Sequence, residues 1–167
     1  LNGRRAEPVN PTPSQRRPML EPGDQAPDVT ARNQHGESVT PDFTAPTVVY
    51  FYPKDFTGGC TVEANDFQDV HAEFEDLGVT VYGVSMDDVE SHADFADAEG
   101  VEFDLLADPD GTLASAFGVS TDEGHTGRVT FLLGRGDVVA VYEPALADPD
   151  GHAREVLDDA RREFDEG

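Results

Sequence analysis

The chain has 167 residues, enough for one domain with a proper core, and its 35 Asp and Glu against 11 Lys and Arg give a net charge of −24. Nucleic acid and anionic membranes are disfavoured as partners, because either would require a basic surface. The acids are dispersed and the hydrophobic content of 37% supports a core. Such a composition is typical of proteins from organisms with molar salt inside the cell, where screening relieves the repulsion.

The first 18 residues are rich in Pro and Arg and contain no apolar segment that could form a signal core. We therefore expect residues 1–18 to be a disordered extension and residues 19–167 to form the domain, with Met19 the better starting point. No stretch approaches the apolar length of a membrane-spanning helix. The single cysteine, Cys60, excludes an intramolecular disulfide. The cytoplasm is the expected location.

Apolar and β-branched runs predict strands, and apolar residues spaced by three and four predict helices. Taken along the chain, these patterns predict a hairpin at 28–32 and 37–39, a strand at 47–52, a helix at about 60–77, a strand at 79–84, a helix at 88–99, a strand at 104–107, a helical turn reaching Phe117, two strands at 128–133 and 138–142, and a closing helix at 153–164. Pro53 should end the first long strand, because proline cannot donate to a ladder.

This order of elements predicts an α/β fold, with a mostly parallel sheet, an antiparallel edge and helices on both faces. It is the order of a thioredoxin-like fold, which has a central mixed sheet. In open α/β sheets the functional site lies at the carboxyl ends of the strands. The segment before Cys60 falls at that place.

Metal binding is not predicted. Asp-Pro-Asp-Gly occurs at Asp108 and again at Asp148, but neither copy supplies the further oxygen ligands and late glutamate of a calcium loop. Both copies are interpreted as helix-initiating turns. The five histidines lack ligand spacing, and we expect neither a metal nor a cofactor. They are His35, His71, His92, His125 and His152.

Cys60 follows Gly58-Gly59, which we expect to turn sharply, and lies in the first turn of a predicted helix, where unpaired N–H groups favour thiolate over thiol. Lowering the pKa of a cysteine from about 8.5 to about 6 requires roughly 3.4 kcal/mol. A helix terminus rarely supplies more than about 2 kcal/mol, so a cation must contribute. The alternative is a small buried hydrophobic residue, the commoner environment of a lone cysteine.

The motif Pro53-x-x-x-Thr57-x-x-Cys60 resembles the peroxidatic signature of the peroxiredoxins. Tyr52-Pro-Lys-Asp55 and Cys60-Thr-x-Glu-Ala64 resemble the bacterioferritin comigratory protein branch of that family. The resemblance extends from about Leu20 to Phe164. It includes Arg128, at the start of a later strand, where the family carries its active-site arginine. Two positions depart from the pattern: Gly58 replaces the usual proline, and Asn65 stands where many members carry a resolving cysteine.

The resemblance implies a thiol peroxidase in which the Cys60 thiolate attacks a hydroperoxide and becomes sulfenic acid. Thr57 would hydrogen-bond thiolate and peroxide, Arg128 would stabilise negative charge, and Pro53 would shield the thiolate. Thr57 could instead be a turn residue, and Arg128 a surface arginine paired with an acid. Without a second cysteine, turnover requires an external thiol, either a small molecule or a thioredoxin- or glutaredoxin-like protein.

Two other functions are open at this stage. A thioredoxin-type disulfide exchanger shares the fold but normally needs a Cys-x-x-Cys pair, and Thr57 occupies the position of the first cysteine. A holdase or interaction domain would use the acidic shell only for solubility. The sequence leaves open the physiological peroxide, the reductant, and whether the protein is a monomer or a homodimer.

Overall fold

The computed structural model describes residues 19–53, 55, 58–121, 126, 128–143 and 152–164, and of residues 58–60 it describes the backbone only. The predicted extension, residues 1–18, lies outside this part of the chain. The elements are β1 (Ala31–Arg32), β2 (Ser38–Val39), β3 (Thr47–Phe51), α1 (Gly58–Asp69), α2 (His71–Leu77), β4 (Thr80–Ser85), α3 (Val89–Glu99), β5 (Asp104–Ala107), α4 (Thr112–Phe117), β6 (Val129–Gly134), β7 (Asp137–Tyr142) and α5 (His152–Phe164).

One mixed sheet of seven strands in the order β2-β1-β5-β4-β3-β6-β7 forms the centre of the fold. Strands β3, β4 and β5 are parallel to one another. The pairs β1·β2, β1·β5, β3·β6 and β6·β7 are antiparallel. The mixed sheet is confirmed, but the prediction of a mostly parallel sheet with one antiparallel edge is wrong. Short hairpin connections, at both ends of the sheet, can join only antiparallel strands.

The two faces of the sheet can be read from β3, all of whose residues are buried. Val48 and Tyr50 join a core with α1, α2, α3 and α5, whereas Val49 and Phe51 join a second core with α4. Alternate side chains on a strand point to opposite faces, so a continuous apolar run supplies both cores. Helices on both faces are confirmed.

The predicted long helix is two helices. The first begins at Gly58, so Gly58 and Gly59 form its first turn instead of a separate sharp turn, and it ends at Asp69. Val70, with φ −110° and ψ 11°, separates it from α2. The buried stripe still continues through the break, because Phe67, Val70 and Phe74 are all buried.

Helix α3 matches its predicted bounds. Asp88 caps it by accepting from the Ser91 N–H, and Gly100 is its C-cap. Its buried residues are His92, Phe95 and Ala96. Val89 and Ala93, the other apolar residues at helical spacing, are only partly buried.

The predicted turn at Asp108 is confirmed, and a hairpin joins the last two strands. The Asp108 carboxylate accepts from the N–H groups of Leu113 and Ala114, as expected of a helix-initiating turn. The second Asp-Pro-Asp-Gly copy lies outside the described residues. Between β6 and β7, Arg135 and Gly136 have φ of 57° and 82°. Two positive φ values in a two-residue loop are typical of a hairpin turn that matches strand twist.

Candidate functional site

The site is built where β3 ends, at the carboxyl end of the parallel strands. β3 ends at Phe51, and the Tyr52 N–H still donates to the Val84 carbonyl at 3.0 Å. The Tyr52 carbonyl accepts from the Thr126 hydroxyl at 2.9 Å. Pro53 follows and is partly buried. The backbone entering the predicted motif is therefore fixed from both sides.

Cys60 is the third residue of α1 and so lies in its first turn. The unpaired N–H groups of a helix start favour a thiolate at such a position. The side chain of Cys60 and the whole of Thr57 lie outside the described part of the chain. Their proximity to one another therefore stays a prediction.

Arg128 lies directly before β6, which pairs with β3 so that Val129 faces Phe51. Its side chain is buried, and Nη1 donates to Oε1 of Glu63 at 2.6 Å. The interpretation of Arg128 as a surface arginine does not hold, because the residue is only 6% exposed. Glu63 lies in α1, three positions after Cys60, so this ion pair attaches the buried cation to the helix that carries the cysteine.

Glu63 is fully buried. Burial raises its pKa to about 7, although the charge of Arg128 and its hydrogen bond act in the opposite direction and Asp66 adds a smaller upward push. Among the described residues, Oε2 of Glu63 has no hydrogen-bond partner. The site therefore contains a carboxyl group that changes its charge near neutral pH beside the cation expected to stabilise the thiolate.

His152 begins α5 and interacts electrostatically with Arg128. Its Nε2 lies 2.8 Å from the Thr130 hydroxyl oxygen. Burial, with a contribution from Arg128, lowers the pKa of His152 to about 4. The imidazole is thus neutral at pH 7. The Asp66 carboxylate accepts from the Ala153 N–H at 2.8 Å, which fixes the start of α5 against α1.

Asn65, at the position of the resolving cysteine, has a structural role. Its amide nitrogen donates to the Thr61 carbonyl at 3.0 Å and to Oε1 of Glu99 at 3.1 Å. The side chain thus links α1 to α3.

A second buried pair, Asp55 with His92, went unrecognised in the sequence. Nδ1 of His92 lies 2.8 Å from Oδ2 of Asp55, and both side chains are almost completely buried. The histidines were interpreted as scattered, but this one lies beside Asp55 and Asp87. Glu63 could have been found from the sequence, because it precedes Phe67 by four positions on the apolar stripe of the helix.

The chain matches the model of the AhpC/TSA family over residues 22–141. It is 44% identical over 102 residues to the Peroxiredoxin Bcp of Bacillus subtilis, covering 60% of this chain and 65% of that protein. It is 37% identical over 139 residues to the chloroplastic Peroxiredoxin Q of Sedum lineare, covering 81% of this chain and 75% of that protein.

A similar solved structure is the Xanthomonas campestris bacterioferritin comigratory protein. That structure was described for its alkyl peroxide reduction activity and its trapped intermediate and ligand complexes. The two are 33% identical with a TM-score of 0.75, over 87% of this chain and 98% of that one. Within the described residues, no helix is both long and apolar enough to cross a membrane.

Proposed function

Because the chain belongs to the AhpC/TSA family and, within it, to the Bcp and Q peroxiredoxins, which are thiol-dependent peroxidases, we propose that Cys60 is its peroxidatic cysteine. The observation that supports this most directly is the Arg128–Glu63 ion pair, which joins a buried cation to α1, the helix that carries Cys60 in its first turn. Family membership also favours the peroxidase over the disulfide exchanger and the holdase.

In the proposed first step, the Cys60 thiolate attacks the distal oxygen of a hydroperoxide. An S–O bond forms, the O–O bond breaks, and the leaving alkoxide or hydroxide takes up a proton to become alcohol or water. Sulfur is oxidised to sulfenic acid and the peroxide is reduced. Arg128 stabilises the negative charge through fixed donors, Thr57 hydrogen-bonds thiolate and peroxide, and Pro53 shields the sulfur.

The second step uses an external thiol. Cys60 is the only cysteine of the sequence and Asn65 occupies the resolving position, so the sulfenic acid has no thiol partner within this sequence. An external thiol attacks the sulfur, water leaves, and a second thiol then releases Cys60 from the mixed disulfide. The reductant is a small thiol or a thioredoxin- or glutaredoxin-like protein. Hydrogen peroxide and organic hydroperoxides are the proposed substrates, as alkyl peroxides are for the Xanthomonas protein.

We place the protein in the cytoplasm of a halophile, as a monomer or homodimer, with residues 19–167 forming the domain. The acidic composition supports the halophilic origin, and the family match over residues 22–141 supports the domain. Residues 1–18 are proposed to be a disordered extension. The acidic surface argues against nucleic acid or an anionic membrane as a partner.

The test is mass spectrometry after one equivalent of hydrogen peroxide, with and without glutathione. We expect a monomer that gains the mass of one glutathione, and a Cys60→Ser variant that gains nothing. A covalent dimer that forms at the same rate at every glutathione concentration would instead establish a Cys60–Cys60 bridge between chains. An unmodified Cys60 after peroxide treatment would contradict the assignment of the peroxidatic residue itself.

A further inference from the structure

Asp55 lies three positions before the start of α1 in the sequence, and its side chain pairs with His92 of α3. Asp55 is 3% exposed and His92 is completely buried. Besides the 2.8 Å contact between His92 Nδ1 and Asp55 Oδ2, His92 Nε2 lies 2.9 Å from the Leu106 carbonyl oxygen. Both ring nitrogens of His92 are therefore bound, one by an acidic side chain and one by the main chain of β5.

The hydrogen-bond partners determine where the protons are. A main-chain carbonyl can only accept, so Nε2 of His92 carries a hydrogen. Asp55 also receives the hydroxyl of Ser91 on Oδ2 at 2.8 Å and that of Tyr52 on Oδ1 at 2.6 Å. Burial above all raises the pKa of Tyr52 well above its ordinary value, so its hydroxyl keeps its proton. Nδ1 of His92 and Oδ2 of Asp55 are therefore joined by one further proton of this network, whose other donors to Asp55 are the two hydroxyls.

A bound cation does not explain this arrangement. One ligand atom from each of Asp55, Asp87 and His92 lies within 4.8 Å of the others. Each acceptor nevertheless already holds a donor: Oδ2 of Asp87 receives the Asp55 N–H at 2.8 Å and the Ser85 hydroxyl at 2.6 Å. A cation would have to displace these hydrogens from the oxygens that would bind it. The cluster is complete as a proton-bearing network.

The network fixes the chain at two points before the predicted site. Tyr52 is fixed through its main chain by Val84 and Thr126. Asp55 is fixed through its N–H by Asp87, which follows β4, and through its carboxylate by Ser91 and His92 of α3. Thr57 comes two residues after Asp55, and α1 begins at Gly58. The position of Asp55 therefore influences where the chain enters α1, the helix that carries Cys60.

We propose that Asp55 and His92 are positioning residues of the peroxidase reaction, which fix the chain where it approaches α1, the helix that carries Cys60. The proposal rests on the assignment of Cys60 and Thr57 above. Attack on peroxide requires preset donors, and a misplacement of about 1 Å can cost roughly 100-fold in rate. Attack of an external thiol on oxidised Cys60 instead requires the sulfur to become accessible, which local opening provides.

The two half-reactions should therefore respond differently when the pair is broken. In Asp55→Asn and in His92→Gln, we expect oxidation of Cys60 by hydrogen peroxide to slow roughly 10- to 100-fold. Reduction of the resulting sulfenic acid by glutathione should be unchanged or faster. The Asp55→Asn/His92→Gln double variant should resemble the single variants within about twofold, because two residues that act as one unit are not additive.

Both rates are measured by rapid mixing, oxidation with peroxide in excess and reduction with glutathione in excess. His71→Gln is the matched control, since His71 is buried in α2 beside Phe103 and none of its described contacts is with Asp55. Ser91→Ala gives a milder change, because it removes one of the two hydroxyl donors to Asp55 and keeps the contact between Asp55 and His92. In Ser91→Ala we expect oxidation to slow by a smaller factor and reduction to be unchanged or faster. This variant keeps the proposal testable if the other variants fold poorly.

The proposal would be overturned if the variants slowed both half-reactions equally. It would also be overturned if their rates changed only as much as those of His71→Gln when the melting temperatures are the same. In either case the pair would have a purely structural role. Unchanged oxidation in all variants would also overturn the proposal. A wild-type Cys60 that does not react with peroxide would contradict the proposed function instead, so the two failures are distinguishable.

Discussion

The acidic residues of two buried pairs, Asp55–His92 and Glu63–Arg128, flank the predicted active-site segment in the sequence, and the pairs differ in how completely they are hydrogen-bonded. In Asp55–His92, both carboxylate oxygens and both ring nitrogens are engaged. In Glu63–Arg128, the contact is shorter, at 2.6 Å against 2.8 Å, but Oε2 of Glu63 has no hydrogen-bond partner among the described residues. The side-chain nitrogens and oxygens of the first pair all have hydrogen-bond partners, whereas one carboxylate oxygen of the second pair can still accept a hydrogen bond.

This difference indicates that the two pairs have different roles. A buried ion pair gains rigidity when every lone pair and proton is satisfied, and its charges are then costly to disturb. A buried carboxylate with only one described donor is held less firmly in its charged form, which agrees with the raised pKa of Glu63. Asp55–His92 suits the fixing of a backbone segment. Glu63–Arg128 suits a site whose charge must change during a reaction.

The largest expected effect comes from Arg128→Met, which leaves the Glu63 carboxylate buried without its cation. Removing one partner of a buried pair costs about 3–5 kcal/mol of unfolding free energy, and removing a fixed donor at a reacting charge costs roughly 100- to 1,000-fold in rate. Urea unfolding and the rate of Cys60 oxidation by hydrogen peroxide measure the two effects.

Its control is the double variant Glu63→Gln/Arg128→Met, in which no charge is left buried. Replacing both charges should recover most of the lost stability while leaving the oxidation rate low. Recovery of the rate together with the stability would mean that Arg128 acts only by supporting the fold. It would also remove the contrast between a structural pair and a chemical one.

The next effect is the pH dependence of stability caused by Glu63. Its pKa is raised from 4.5 to about 7, so the folded state holds a proton that the unfolded state has released, and stability falls as pH rises from 4.5 through 7. The lowered pKa of His152 acts in the opposite sense, because stability is gained as pH rises from about 4 to 6.5. The two slopes therefore oppose each other below pH 6.5.

Above pH 6.5 the Glu63 contribution is the larger of the two, because an unfolded histidine has already lost about half of its proton at that pH. We expect the unfolding free energy of wild type to fall relative to that of Glu63→Gln by about 1 kcal/mol between pH 6.5 and 8. Urea unfolding at several pH values gives the comparison. If the unfolding free energies of the two proteins changed in parallel with pH, Glu63 would be ionised throughout this range. The contrast between the two pairs would then be lost.

How far the sequence predicted these features depends on the distance along the chain. The strand at Thr47–Phe51 and the stripe through Phe67, Val70 and Phe74 are local patterns, and they were predicted. The interruption at Val70 was missed, because the apolar spacing continues across it. Local periodicity records which face is buried, but it does not record whether the hydrogen bonds along a helix are continuous.

The site divides in the same way. The motif that contains Cys60 and the position of Arg128 on a later strand were both recognised as family features. Glu63 was quoted in the Cys60 motif without a role. His92 lies 37 residues from Asp55, and its pairing is produced by the packing of α3 against the loop after β3. An acid and a histidine so far apart carry no local signal. Only the tertiary structure identifies them as partners.

The smallest expected effect separates these buried pairs from exposed ones. Between 0.1 and 2 M KCl, we expect the wild-type melting temperature to rise by roughly 2–4 °C or more, because a net charge of −24 repels itself and salt screens that repulsion. The exposed cluster of Glu73 with Arg154 and Arg161 should lose its contribution in the same range. Glu73→Gln should therefore differ from wild type by less than about 2 °C at low salt and not at all at 2 M. The difference in melting temperature between wild type and Glu63→Gln should stay constant, since buried pairs are screened much less.

Differential scanning calorimetry of the three proteins at each KCl concentration tests this, and a wild-type melting temperature that is flat or falls with salt would contradict the role assigned to the acidic surface. A Glu63→Gln difference that shrinks with salt as the Glu73→Gln difference does would place Glu63 in contact with solvent and end its contrast with the exposed cluster.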